Sequence, residues 1–169
     1  MLFFDEADAL FARRSEVSDA LDRYANLEVA YLLQLMEAYP GVAVLATNLR
    51  GNLDEAVVRR LHHVVEFPFP DRRLRARIWR RSFPDATPLG EVDFDDLAGR
   101  FELAGGNIAS ASLHAAQLAA ADGGRVEMTH LALAVAREYQ KLARPAGPGE
   151  FGPWYGLVAE RLATGGGPA

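Results

Sequence analysis

The sequence contains no cysteine, so it forms no disulfide and offers no thiolate for catalysis or metal binding. It also has no uninterrupted apolar run of the roughly 18 residues that a membrane-spanning helix needs. Its N-terminus has neither the basic start nor the small-residue cleavage site of a secretory signal. From these three absences we expect a soluble protein of the cytoplasm.

Lysine and metal-binding motifs are also scarce. Lys141 is the only lysine, and every other basic residue apart from the histidines is an arginine. No H-E-x-x-H motif occurs, and the histidines lack the spacing of metal ligands. The formal net charge is −5, which argues against a nucleic acid as the main partner. Hydrophobic residues make up 50% of the 169-residue chain, enough for one good core or two small ones.

The first eight residues carry the most informative pattern. Four apolar residues, 1–4, run directly into the adjacent carboxylates Asp5 and Glu6. This pattern predicts a strand buried on both faces, with the carboxylates at its carboxyl end, where open α/β sheets bind ligands. An aspartate there can hold a hydrated Mg²⁺, and a glutamate beside it can polarise a water for attack on a phosphate. The alternative is a strand end followed by the acidic start of a helix.

A second strand is predicted at 42–46, after a helix at 26–39. Since a right-handed crossover makes two such strands parallel, Thr47 and Asn48 should emerge at the same edge of the sheet as the carboxylate pair. Asn48 can donate and accept hydrogen bonds at once, so it could orient an attacking water or contact a terminal phosphate. The alternative is an Asx-turn that closes the strand. A third buried strand is predicted at 63–67.

The second half of the chain changes from strands and helices to helices alone. An arginine-rich helix at 72–81 has Leu74 and Ile78 as its inward stripe, and we interpret its arginines as a solvated face rather than a nucleic-acid site. Three helices should follow, each with an apolar stripe. The predicted organisation is an α/β core at 1–84, a helical domain at 85–144, and a Gly/Pro-rich flexible tail at 145–169 with an amphipathic segment at 154–162.

In their order and spacing, these motifs resemble the AAA family of ATPases. The resemblance covers residues 1 to about 144. It implies an α/β fold in which part of a P-loop NTPase parallel sheet, with helices on both faces, is followed by a small all-helical lid domain. The matching segments are residues 2–10 for the Walker B strand, 46–48 for sensor 1, 53–60 for the second region of homology, 67–71 for the exit from the last strand, and 104–108 for the start of the sensor 2 helix.

The resemblance also implies roles for individual residues. Asp5 would coordinate Mg²⁺, Glu6 would act on the attacking water, and Asn48 would sense the γ-phosphate of ATP. Arg59 and Arg60 would be arginine fingers that reach the ATP of the next subunit in a ring, where a guanidinium can form two hydrogen bonds to the developing charge. The alternative for the arginine pair is stabilisation of the end of a helix.

Two departures from the family pattern limit this assignment. Position 107, where many relatives in the wider superfamily place an arginine, is Asn107, so sensor 2 supplies no cation; Gly105 and Gly106 could still lie against the bound nucleotide. No G-x-x-x-x-G-K-[ST] motif occurs anywhere in the sequence, so the phosphate cradle is missing. We therefore expect the chain to be the C-terminal part of an AAA module.

Function is predicted at two levels. The parent protein would be an ATPase that uses ATP and Mg²⁺ to remodel a protein substrate or an assembly, in a ring expected to be a hexamer, whereas the chain alone would be inactive. A different class of function is a truncated, non-catalytic module that pairs with full-length AAA subunits and modulates them through Arg59 and Arg60. An arginine-rich nucleic-acid binder ranks last because of the net charge.

Overall fold

The computed structural model describes residues 1–11, 30–49, 51, 53 and 55–164. It divides into two compact units, Met1–Glu66 and Phe67–Ala169, and each is described by itself below. Of the helix predicted at 26–39, residues 30–38 are helical, whereas 26–29 lie outside the described part of the chain.

The first unit is built on two short parallel strands. Strand β1 (Leu2–Phe4) pairs with β2 (Ala43–Leu45), with Phe3 opposite Val44. The ladder extends past both strands, because the Ala46 amide donates to the Phe4 carbonyl over 2.8 Å and the Ala7 amide donates to the Ala46 carbonyl over 2.9 Å. The predicted parallel pairing is therefore confirmed.

Three helices complete the described part of the first unit. Helix α1 (Ala7–Leu10) follows β1 almost at once, α2 covers residues 30–38, and α3 is Glu55–Val58. Their apolar sides form a small core, beside which the Phe4 and Phe11 rings meet edge to face with centroids 6.3 Å apart. The buried members of this core are Ala7, Phe11, Leu33, Leu53 and Val57.

Two strand predictions are wrong. Residues 63–67 form no strand, and Val65 and Phe67 are 73% and 92% exposed. Strand β1 is not buried on both faces either, because Phe3 is 60% exposed. The physical reason is the size of the sheet: within the described residues it has only two strands, so few residues can cover either face. By the family resemblance, the strand that carries the phosphate-binding loop would lie between β2 and residues 63–67, and the sequence contains no such loop.

The second unit is helical. Aspartate side chains cap its first two helices: Asp71 accepts from the Leu74 amide over 2.7 Å, and Asp93 accepts from the Asp95 and Asp96 amides over 2.9 Å. A 3₁₀ turn at Gly152–Trp154 joins the last two helices. The helices are α4 (Arg72–Arg81), α5 (Phe94–Arg100), α6 (Gly105–Ala121), α7 (Met128–Lys141), α8 (Pro148–Phe151) and α9 (Tyr155–Ala163).

The core of this unit largely follows the predicted stripes. Helix α6 buries Ile108, Ser112 and Ala115, and α7 buries Val135 and Tyr139, each as the helical periodicity predicts. The stripe predicted for α4 is correct only in part: Ile78 is half-buried and packs against the core, whereas Leu74 is 39% exposed. The fully buried residues of α4 are Arg75, Ala76 and Trp79.

The structure also sets a different boundary between the units. Helix α4 packs against α5 and α6, so it belongs with the helical unit, which begins at Phe67 and not after residue 84. The buried Arg75 strengthens this attachment, because its guanidinium donates to the Ala98 carbonyl over 2.9 and 3.1 Å and to the Pro70 carbonyl over 2.7 Å. One of the arginines that the sequence analysis interprets as a solvated face, Arg75, is therefore buried and has a structural role.

The segment that follows Pro145 is helical, whereas a flexible tail was predicted. Phe151 is fully buried, with its ring centroid 5.0 Å from that of Phe101 and 5.5 Å from that of Tyr139. Val158 in α9 is buried too. Aromatic burial of this kind fixes a Gly/Pro-rich segment that composition alone classes as disordered. The amphipathic helix predicted at 154–162 is confirmed as α9, and residues 165–169 lie outside the described part of the chain.

Candidate functional site

The sharpest feature of the first unit is the backbone of Glu6. This residue has φ 50° and ψ 45°, the left-handed region that a residue with a Cβ rarely adopts. The cause lies on either side: the strand ladder ends at the Ala7 amide and α1 begins at that same residue, so the chain passes from strand to helix at Glu6. Such backbone strain costs on the order of 1–3 kcal/mol and clusters at functional sites.

Asp5 and Glu6 lie together at the carboxyl end of β1. The Glu6 amide donates to Oδ1 of Asp5 over 3.0 Å, which fixes the orientation of that carboxylate, and both side chains are exposed. Because Phe4 pairs with Leu45 in a parallel ladder, Asn48 follows β2 at the same edge, and it is exposed as well. The strand arrangement thus brings the three predicted residues to one edge of the sheet.

A second carboxylate contact at this edge was not predicted. Asp8 accepts a short hydrogen bond from the hydroxyl of Thr47, and that hydroxyl oxygen also accepts from the Leu49 amide over 3.0 Å. The bond ties α1 to the turn after β2 and holds the backbone on both sides of Asn48.

The predicted arginine fingers differ in their surroundings. Arg59 forms an ion pair over 2.8 Å with Glu55 of its own helix, and its side chain is 79% exposed. Arg60 bonds to Glu37 on α2 and donates to the Ala56 carbonyl over 2.9 Å. Since an exposed i, i+4 pair contributes only about 0.3–0.5 kcal/mol, Arg59 is free to leave Glu55. Arg60 instead links α3 to α2.

In the second unit, the residues predicted to contact nucleotide form the first turn of α6. Its N-cap residue Ala104 provides no side-chain cap, and a Cβ added at Gly106 would meet no atom within 4 Å. Asn107 does not point into open solvent: its Nδ2 donates to Oε2 of the buried Glu138 over 3.1 Å. Glu138 in turn pairs with Lys141, the only lysine of the chain. A Cβ built on Gly105 would lie 3.7 Å from the Ile78 side chain, at ordinary van der Waals contact distance, so this glycine packs against α4.

The donor groups fit part of a magnesium nucleotide site. Mg²⁺ is usually held by one or two carboxylates, waters and substrate phosphates, so a cluster of protein ligands is not needed. Within the described residues, no group of three or more acidic or histidine side chains could hold a metal. Asp5 is the residue that would hold the ion. The phosphate cradle is the part that this sequence does not supply.

Comparison with known proteins agrees with this geometry. Residues 1–69 match the family model described as "ATPase family associated with various cellular activities (AAA)". The first unit is therefore a segment of an AAA ATPase domain, and the chain belongs to the AAA family. Its α/β part, a small parallel sheet with helices, and the helical unit after it are consistent with part of the P-loop NTPase fold of that family.

Individual relatives extend the match beyond the first unit. The chain is 32% identical over 126 residues to "26S proteasome regulatory subunit 6B homolog" of Dictyostelium discoideum, an alignment that covers 68% of this chain and 31% of the relative. It is 30% identical over 108 residues to the protein of the same name from Encephalitozoon cuniculi, an alignment that covers 60% of this chain and 28% of the relative. It is 29% identical over 106 residues to "Probable 26S proteasome regulatory subunit 6B" of Caenorhabditis elegans, an alignment that covers 59% of this chain and 26% of the relative. The chain thus spans less than a third of the length of these relatives.

No helix in the described ranges is both long enough and apolar enough to cross a membrane.

Proposed function

We propose that this chain supplies the water-activating half of an ATPase site, and that a partner segment with a G-x-x-x-x-G-K-[ST] loop supplies the phosphate-binding half. The complete module would hydrolyse ATP with Mg²⁺ and use the energy to remodel a protein substrate or an assembly. The strained backbone of Glu6 carries the proposal, because this conformation places a carboxylate at the edge of a parallel strand pair, next to Asp5 and on the same side as Asn48.

Each residue would have a distinct task. Bound Mg²⁺ neutralises charge on the phosphates, and Asp5 would hold it through its hydration shell. Glu6 would accept the proton of the attacking water. Asn48 would orient that water or contact the terminal phosphate, since its amide offers both a donor and an acceptor. None of these groups cradles the phosphate chain, so we propose that the 169-residue chain alone is inactive.

Arg59 is the better candidate for an arginine finger in a ring. Its weak pairing with Glu55 and high exposure would let it reach the ATP of a neighbouring subunit, whereas Arg60 is held by α2. The proposed partners are copies of the complete protein or other AAA subunits in a ring, expected to be hexameric. The names of all three reported relatives, which contain the words "26S proteasome regulatory subunit", support an assembly of this kind. We further propose a location in the cytoplasm.

A second candidate function is a non-catalytic module that presents Arg59 to full-length AAA subunits and modulates their activity. Two observations favour it: the sequence lacks the phosphate-binding loop, and Arg59 is exposed within the described structure. Under this alternative, the purified chain would change the ATPase rate of full-length subunits, and Arg59→Ala would abolish that change. Under the first proposal, only the joined module would have activity.

The decisive experiment joins the chain to an AAA segment that carries the missing loop and tests Glu6→Gln. The amide keeps the shape of the side chain but cannot accept the proton, so we expect kcat to fall by about 10²–10⁴ while ATP stays bound. Glu91→Gln, at an exposed position in the second unit, is the matched control and should keep full activity. Full turnover by the Glu6→Gln module would overturn the proposal.

A further inference from the structure

The outward face of helix α4 carries three arginines in consecutive turns. Arg73, Arg77 and Arg81 follow one another at intervals of four residues, and all three are exposed. Residues four apart lie on one side of a helix, about 6 Å apart along its axis. The opposite face of α4, with the buried Ala76 and Trp79, packs into the core of the second unit. The three guanidinium groups therefore form a row on the solvent side of α4, called the arginine row below.

No acidic side chain of the described ranges neutralises the arginine row, because its three members form no hydrogen bond or ion pair there. Neighbouring arginines do find carboxylates: Arg80 on the same helix pairs with Asp95, and Arg100 on α5 pairs with Asp96. The carboxylate of Asp71, which precedes the row, accepts from a backbone amide as the cap of α4. The chain has 23 acidic residues against 18 basic ones, so a shortage of carboxylates does not explain the unpaired row.

The arginine row also lowers the intrinsic stability of its helix. Like charges four residues apart destabilise a helix, and the row contains two such pairs. Arg72 and Arg73 lie in the first turn, where the helix dipole favours anions, and that turn contains no acidic residue. Departures from these local rules are expected at functional positions, where another gain compensates for them. The arginine row therefore points to a role outside the helix itself.

An apolar edge runs beside the arginine row. Leu74 is 39% exposed, and Ile78, four residues later, is half-buried. Each follows an arginine of the row by one residue, so the two apolar side chains form a neighbouring row with the same interval. The outward face of α4 thus combines unpaired positive charge with apolar surface, and a partner that covers it must offer both negative charge and apolar side chains.

We propose that this face of α4 is a docking surface for an acidic amphipathic helix of a partner protein. Carboxylates at every fourth position of such a helix recur at the same interval of about 6 Å, so each guanidinium can meet one carboxylate with two hydrogen bonds. Apolar side chains in the neighbouring row of the partner cover Leu74 and Ile78. Rows with an interval of four are also the ridges that align in the commonest class of helix packing. Docking removes the repulsion within the arginine row.

A nucleic acid fits this surface less well. Trp79 is the only aromatic residue of α4, and it is fully buried, so the helix offers no ring for stacking on a base. The formal net charge of −5 also repels a polyanion at long range. The docking proposal does not depend on the proposed ATPase function, because no residue of the arginine row belongs to that site.

The test measures peptide binding to the full 169-residue chain, immobilised on a biosensor at low density so that the chains do not associate with one another. Three helical peptides of about 16 residues are compared. The first carries glutamate at every fourth position and leucine in the row beside it. In the second, lysine replaces every glutamate, and the third has the composition of the first with its glutamates distributed around the helix. We expect the first peptide to bind at least about tenfold more tightly than the others, and its binding to weaken as salt is added.

Two charge-reversal variants decide whether the peptide binds at the arginine row. Arg77→Glu, in the middle of the row, should weaken binding of the first peptide at least about tenfold. Arg125→Glu, at an exposed position between α6 and α7, is the matched control and should change it less than about twofold. Because Arg77→Glu replaces two repulsive pairs with two attractive ones, its melting temperature should not fall, which separates lost binding from lost folding.

Several results would overturn the proposal. These are equal binding of the three peptides, no binding of the first peptide, equal effects of the two variants, or a lower melting temperature for Arg77→Glu. Tighter binding of a single-stranded DNA of similar length would show that the row contacts nucleic acid instead. Loss of self-association in the Arg77→Glu chain, measured by sedimentation velocity, would assign the row to a contact with a second copy.

Discussion

At the scale of single residues, two neighbouring arginines show how similar side chains acquire different tasks. Within the described residues, Arg59 pairs only with Glu55, four residues earlier in the chain, whereas Arg60 reaches Glu37 on another helix. The sequence presents them as an equivalent pair. Their difference arises from α2, which comes close enough to hold one guanidinium and leaves the other exposed. Substitution of Arg60 should therefore affect the stability of the first unit, and substitution of Arg59 should not.

Tyr139 offers a residue-scale prediction that depends on pH. Burial, with the negative charge of Glu150, raises the pKa of Tyr139 from 10.0 to about 12, and Arg144 offsets this only in part. The phenol also donates to Oε1 of Glu150 over 3.2 Å. Because the folded pKa lies above the unfolded one, Tyr139 contributes fully to stability below about pH 10, and this contribution is lost as the pH rises toward 12.

Absorbance at 295 nm, followed from pH 8 to 12.5, measures this ionisation. We expect one tyrosine to ionise last, near pH 12, and Tyr139→Phe to remove that last step. Tyr31→Phe, at an exposed position on α2, serves as the control and should leave the last step in place. A last step that persists in the Tyr139→Phe variant would show that this phenol is not the protected one.

At the scale of elements, the short helix α8 fastens the segment after Pro145 to the rest of the second unit. Its Phe151 inserts between Phe101 and Tyr139, and Glu150 beside it pairs with Arg144. The Arg144 guanidinium in turn lies over the Tyr139 ring, 4.4 Å from its centroid. Three aromatic rings and one ion pair thus hold a segment of only a few residues.

We expect Phe151→Ala to destabilise the second unit by about 3–5 kcal/mol, the usual cost of removing a buried phenylalanine. The loss should appear as a lower midpoint in urea denaturation followed by the fluorescence of Trp79 and Trp154. Leu157→Ala, a partly exposed position on α9, is the control and should cost less than about 1 kcal/mol. A Phe151→Ala midpoint equal to that of the control would mean that α8 is only loosely attached.

At the scale of the whole molecule, the exposed apolar surface of the first unit is the feature that favours self-association. Phe3, Val42 and Val65 are exposed, and in the described structure no further strand pairs with the outer edges of β1 and β2. Open strand edges beside exposed valines are templates for self-association. The helical unit has a continuous core and does not share this weakness.

We therefore predict that the 169-residue chain self-associates and binds ATP no more tightly than about 1 mM, which corresponds to roughly −4 kcal/mol. Sedimentation velocity at increasing protein concentration should show growing assemblies, and Val65→Lys should reduce them. Leu113→Lys, an exposed leucine on α6, provides the control for added charge alone. A monodisperse monomer whose melting temperature rises with Mg-ATP would contradict both parts of the prediction.

The sequence by itself determined the class of this protein. The apolar run before Asp5 and Glu6, the second run before Asn48, and the glycines at the start of α6 are local patterns that can be recognised without their neighbours, because the side-chain periods of strands and helices span only two to four residues. The parallel pairing, the order of the elements and most inward positions of α6 and α7 followed from them. These features are sufficient to identify an AAA segment from the sequence alone.

Only the tertiary structure decided which residues are buried or held by hydrogen bonds and which are exposed. Burial of Arg75 and Phe151, the engagement of Asn107 by Glu138 and the exposure of Val65 all depend on residues far away in the sequence. The strand predicted at 63–67 failed for the same reason, since a strand exists only where a neighbour provides hydrogen bonds. The local sequence pattern limits the structures that a segment can form. The segments that pack against it decide which of these structures it adopts.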